Sequence, residues 1–203
     1  MARTAAEPLP ATEQLLADKP SHIMMRDERD CIAEHNRWGF KLEVPAHKFN
    51  RGELYNLSVA RGTLTAEERY AINDHIVQSI TMLTELPFPA HLKQVAEYAG
   101  GHHEKMDGSG YPKGLQRSEM SVQARILAIA DIFEAFTAAD RPYKKGKSLS
   151  EAVGIMSALK QSNHIDPDLF DLFLKSGVYR KFAEQFVAPE DIDAVDISAY
   201  VTV

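Results

Sequence analysis

The 203-residue sequence predicts an all-α fold. Three observations carry that expectation. From residue 65 onward apolar residues recur every three or four positions, two Ser/Thr-x-x-Glu capping boxes open runs of that periodicity, and no stretch alternates as a half-buried strand does. The texture differs before residue 50, where Pro8, Pro10, Pro20 and Pro45 punctuate scattered charge. Residues 1–50 are therefore expected to form a largely irregular arm or insertion, with at most one short helix around residues 13–18. A helical domain is expected over residues 51–186 and a tail over 187–203.

The elements follow in order. Thr65 and Glu68 have capping-box spacing, and Ile72, Ile76, Ile80 and Leu83 behind them mark the buried face of a helix that ends before Pro87. A second helix is expected from Ala90, with Leu92, Val95, Ala96 and Ala99 as its stripe and His102 and His103 continuing it. Gly100 and Gly101 cost about 1 kcal/mol each inside a helix, so they predict a close backbone approach. Residues 106–114, with three glycines and Pro112, must be a loop. Ser121 can cap a third helix running to about residue 138, apolar nearly all round and so expected at the centre of the domain. Ser148 and Glu151 open a fourth, with Ala152, Ile155, Met156 and Leu159 inward. Pro167 suits the first turn of a fifth, which Gly177 can close.

Composition narrows the function classes. No run of eighteen apolar residues exists, and the first thirty residues mix Glu7, Glu13, Asp18 and Arg26 with three prolines, unlike a membrane span or a signal peptide. Cys31 is the only cysteine, which rules out an internal disulfide or a Cys-rich zinc site and suits a reducing, cytoplasmic compartment. A formal charge of -6 with no long basic stripe argues against double-stranded nucleic acid, while leaving room for a small anionic ligand at a local positive patch.

The residues that carry chemistry are histidines and one carboxylate. His75 falls on or beside the inward face of its helix, His102 and His103 end the second, and Asp131 sits among Ile126, Leu127, Ala128, Ile129, Ala130 and Ile132, where a buried carboxylate needs a partner. Three imidazoles and a carboxylate from three helices suit a first-row divalent metal. The plainer alternatives are core histidines in a purely structural bundle, and an Asp131 bonded to Arg125 or Arg141.

The stretch HHEKMDGSGYP at residues 102–112 resembles the HD-GYP family, in which His-His-Glu leads into an Asp-Gly-x-Gly-Tyr-Pro loop. The resemblance continues through ARILAIADIFEAFTAADRPYKK at residues 124–145, begins around Glu53 with LYNLSVARGTLTAEE, and covers roughly residues 51–175. It implies an HD-superfamily helical bundle around two or three metals, commonly iron or manganese, that hydrolyses cyclic di-GMP or a related cyclic dinucleotide. On this resemblance His75, His102, His103 and Asp131 are metal ligands, and Arg141 and Lys144 contact substrate phosphate. Lys144 also reads, with Lys145 and Lys147, as part of a solvated turn. Asp107, Gly108, Gly110, Tyr111 and Pro112 form the GYP loop, a surface element for ligand approach or for docking a protein such as a diguanylate cyclase.

The sequence departs from the family at its first signature. No His-Asp dipeptide occurs: His47 is followed by Lys48, His35 by Asn36 and His22 by Ile23. The catalytic dyad is thus absent, and Glu134 stands where members often have Asp. Two expectations follow. One is that the chain is the C-terminal portion of a phosphodiesterase, active only with an upstream dyad-bearing segment. The alternative is a noncatalytic module that binds a nucleotide or a protein through the GYP loop.

Overall fold

The computed structural model describes residues 18–27, 36–60, 62–138 and 146–201. Most of the expected short helix at residues 13–18 therefore lies outside the described residues, as do Arg141 and Lys144. The chain divides into two compact units, residues 1–75 and 76–203.

In the first unit, strands β1 (Ile23–Met25) and β2 (His47–Asn50) pair antiparallel, with Ile23 opposite Asn50 and Met24 opposite Phe49. This small sheet is the one element that the expectation of a largely irregular arm did not include among its described residues. The strands are three and four residues long, too short for alternation to register as a pattern. Helix α1 (Glu53–Leu57) has no side-chain cap of its own at Gly52. Asp18 serves instead, its two carboxylate oxygens accepting from the amides of Leu54 and Tyr55, each at 3.0 Å. Helix α2 (Ala66–Glu85) opens on the expected box: Thr65 Oγ1 accepts from the Glu68 amide at 3.2 Å and Glu68 returns the bond to the Thr65 amide at 2.9 Å. Glu67 is buried beside it and accepts from the Tyr55 hydroxyl at 2.8 Å.

The buried stripe of α2 differs from the expected one at its first member. Ile76, Val77 and Ile80 are buried, but Ile72 is exposed. The stripe starts from Glu67 and Tyr70, and Ile72, two residues beyond Tyr70, points about 200° around the helix from it.

The second unit places helix α4 (Val122–Thr137) against α3 (Val95–Gly100), α5 (Leu149–Gln161) and α6 (Pro167–Lys175), with α7 (Val178–Phe186) on α6. The caps fall where the sequence put them. Ser121 accepts from Ala124, Ser148 and Glu151 form a full box, and Pro167 occupies the first turn of α6 behind Asp166. Gly177 closes α6 in the left-handed region at φ 70° and starts α7. The core joins Ile129 and Phe133 of α4 to Leu149, Val153 and Met156 of α5 and to Phe170, Leu174, Tyr179 and Ala183 of the last two helices. Phe133 meets Phe173 and Phe182 edge-on, at 5.1 and 5.7 Å between centroids.

Residues 187–201 pack on this core through Ile192, Val195, Ile197 and Tyr200. Two ties hold them: Asp193 accepts from the Ser150 amide at 2.7 Å, and the Lys160 ammonium, paired with Asp171 at 2.6 Å, donates to the Tyr200 carbonyl at 3.1 Å.

Two expectations for the second unit are corrected. Helix α4 is buried on one face only, through Ala124, Ala128, Ile129, Phe133 and Thr137, while Val122, Ile126, Leu127 and Asp131 are exposed. An apolar composition all round does not say which face receives a partner. The second helix is interrupted: Ala90–Leu92 forms a 3-10 turn, α3 begins only at Val95, and Leu92 is exposed. The two glycines end α3 and make the predicted close approaches. A Cβ on Gly100 would run into the Ile80 side chain, and one on Gly101 into Ala124.

Candidate metal centre and GYP loop

Because α3 stops at Gly100, His102 and His103 lie in the turn beyond it and do not extend its stripe. This corrects their expected helical placement. Adjacent residues on a helix point about 100° apart, whereas here the two rings lie side by side, 4.1 Å between centroids and tilted by 47°. The boundary between the units falls within α2 directly after His75, and the helix runs through it unbroken into Ile76. His75 thus belongs to the first unit and His102 and His103 to the second.

Two of the rings are oriented by backbone. His75 Nδ1 lies 2.5 Å from the Ile72 carbonyl and His102 Nδ1 lies 2.7 Å from that of Ala99. A carbonyl only accepts, so each contact is a hydrogen bond in the tautomer with the proton on Nδ1, the one in which Nε2 is the ligating nitrogen. As donors, these imidazoles suit a first-row divalent ion.

Asp131 is the fourth expected ligand. It is exposed on α4, which overturns the premise that burial forces a partner on it. Arg125 is not its partner in a buried pair, because the Arg125 guanidinium bonds Asp166 instead. Its charge nevertheless reaches the loop: burial pushes the Tyr111 phenol up, and the Asp131 carboxylate pushes it further.

The GYP loop is tied down along its length. Gly108 and Gly114 adopt φ 80° and 65°, the left-handed conformations that favour glycine. Asp107 Oδ1 accepts from the Ser109 amide at 2.9 Å; this bond and the Ser109 hydroxyl hold its carboxyl below the usual range. Tyr111 donates its amide to the His103 carbonyl at 3.1 Å and stacks its ring on that histidine, 4.8 Å between centroids and 22° from parallel. Pro112 is buried and Tyr111 half-buried, so the loop is less superficial than its composition suggests. Met106, Met120 and Ala124 form a small apolar cluster with Leu115 packed against it.

Sequence reading missed two residues of this region. Glu104, the third letter of His-His-Glu, is buried at 1% exposure and accepts from the amides of Lys113 and Leu115 at 2.7 and 2.8 Å. Asp166 is fully buried. It accepts from Arg117 Nε at 2.8 Å and from Arg125 while capping α6 through the amides of Asp168 and Leu169. Burial pushes its carboxyl up, but the bonds from Arg117, the Leu169 amide and Arg125 outweigh it and hold the group below the ordinary carboxylate value. The Asp-Pro step at a helix start was the available signal for Asp166. Nothing local signals partners 41 and 49 residues away.

Comparison with known proteins places the chain in a family. A family described as HD domain matches residues 10–169, and the chain belongs to it. Relatives of the HD-GYP type follow. A 3'3'-cGAMP-specific phosphodiesterase of Vibrio cholerae is 45% identical over 82 residues, 40% of this chain and 19% of that protein. A cyclic di-GMP phosphodiesterase of Pseudomonas aeruginosa is 37% identical over 119 residues, 58% of this chain and 28% of its own. A probable cyclic di-GMP phosphodiesterase of Vibrio cholerae is 33% identical over 153 residues, 70% of this chain and 34% of its own. The matched segments thus span no more than about a third of those proteins. Among the described residues no helix is long and apolar enough to cross a membrane.

Proposed function

We propose that this chain supplies the histidine half of the metal centre and the GYP loop of a cyclic dinucleotide phosphodiesterase, and that hydrolysis needs an upstream segment bearing the His-Asp dyad. The observation that carries this reading is the pair of adjacent rings, His102 and His103, set against Tyr111 of the GYP loop. Relatives named for cyclic di-GMP and 3'3'-cGAMP support a cyclic dinucleotide as substrate. Iron or manganese, two or three ions in the complete site, suits nitrogen donors joined by carboxylates, with Asp131 the carboxylate this chain would add. A lone cysteine in 203 residues supports a cytoplasmic location.

Bound metal would polarise the phosphodiester and bring the pKa of a water down to near neutrality. The chain's own residues have the complementary tasks. The Ile72 and Ala99 carbonyls hold two imidazoles in the ligating tautomer, and the Tyr111 stack limits how far His103 can tilt. Arg141 and Lys144, by resemblance, place positive charge where negative charge gathers on the phosphoryl oxygens. The dyad is missing from the sequence, which favours a second reading, a noncatalytic module that holds a nucleotide or a diguanylate cyclase at the GYP loop.

One experiment separates the readings. The chain should bind Mn²⁺ in calorimetry, lose that binding in His102→Ala and His103→Ala, and turn over cyclic di-GMP only when a dyad-bearing segment is fused ahead of it. A fused protein that takes up metal without turnover favours the noncatalytic module. No metal uptake by either form overturns the metal centre itself.

A further inference from the structure

The GYP loop is closed on itself by one buried side chain. Glu104 uses its two oxygens on the amides of Lys113 and Leu115, nine and eleven residues further on. Gly110 lies flat against the start of this closure, since a Cβ there would collide with the backbone of Glu104 and Lys105. Between those anchors the chain returns to the histidine pair, where the Tyr111 amide meets the His103 carbonyl and the Tyr111 ring covers His103. His103 is therefore held between Tyr111 at 4.8 Å and His102 at 4.1 Å. The closure as built suits a carboxylate, because each of the two amides has its own acceptor oxygen. A glutamine offers one, and turns its own N–H groups toward the other donor.

We infer that Glu104 is a positioning residue for the metal centre: it fixes the loop whose Tyr111 sets the tilt of the His103 ring, and through that ring it sets divalent-metal affinity without touching the ion. This rests on the reading that the histidines bind metal. Partners that orient a ligating histidine are worth about 10–100-fold in metal affinity, which fixes the size of the expected effect.

The test uses the full chain and four variants: Glu104→Gln, Tyr111→Leu, their double, and Tyr111→Phe. Mn²⁺ affinity is read by calorimetry, and the His103 ring-proton shift by NMR on the metal-free protein, where Tyr111 stacking displaces it upfield. Glu104→Gln and Tyr111→Leu should each weaken Mn²⁺ by about 10–100-fold and lose the upfield shift. The double should be no weaker than the worse single, because both act through one ring. Tyr111→Phe, which keeps the stack, should bind as the wild type does. If Glu104→Gln does not fold, Gly110→Ala takes its place, since it pushes the same loop away while leaving the carboxylate and every imidazole intact. Wild-type affinity in Glu104→Gln or Gly110→Ala, or losses that multiply in the double, overturns the positioning role alone. A wild type that takes up no Mn²⁺ overturns the metal reading and the positioning role with it.

Discussion

Asp166 shows what a single buried charge can organise. It joins Arg117, Arg125 and the first turn of α6, three places far apart in sequence. Removing one partner of such a set leaves the others' charge uncompensated, so Asp166→Asn is expected to cost about 3 kcal/mol in urea unfolding at pH 7. The pH dependence has a definite sign. The folded carboxyl is held below its unfolded value, near 4, so its contribution is complete above about pH 4 and is lost as the pH falls through the folded value. The gap between wild type and variant should therefore narrow from pH 7 to pH 3. An unchanged gap would mean that packing, not charge, dominates at this position. At this scale the sequence was uneven. The histidines and the loop glycines stand in a compact motif, whereas the buried role of Glu104 depends on where the chain returns ten residues later, and Asp166 on partners more than forty residues away.

At the scale of elements, capping chemistry was legible and facing was not. Ser121, Ser148 and Asp166 begin their helices by bonds between near neighbours, which sequence displays directly. Which side of α4 is covered depends on α3, α5 and α6, and the bare row of Val122, Ile126 and Leu127 carries no local mark of exposure. The same holds for Ile72 on α2. The glycine pair was read correctly as a close approach because glycine inside a helical run has few other reasons. That packing makes a further prediction: Gly100→Ala should drive a methyl into Ile80 and destabilise the chain by about 1–3 kcal/mol, despite alanine's better helix propensity. Thermal unfolding checks the sign. A stabilised variant would mean that Ile80 has room to move.

For the whole chain, the sequence identified the helical class and the family, and the family match at residues 10–169 begins well before the helical periodicity does. The β1–β2 pair was not legible because two strands of three and four residues bury too little to impose a pattern. Nor was the anchoring of residues 187–201, whose apolar members are spaced irregularly and meet the core one at a time.

That anchoring has a consequence for measurement. The Ser150 amide belongs to the first turn of α5, where backbone N–H groups normally lack an acceptor and trade their protons quickly with water. Here its acceptor is Asp193, forty-three residues on. In deuterated buffer this amide should exchange slowly, and truncation after residue 187 should release it while the middle of α5 stays protected. Fast exchange in the full chain would count against the docked tail. Ser150 thus works as a built-in reporter: its proton clocks the departure of the C-terminal segment.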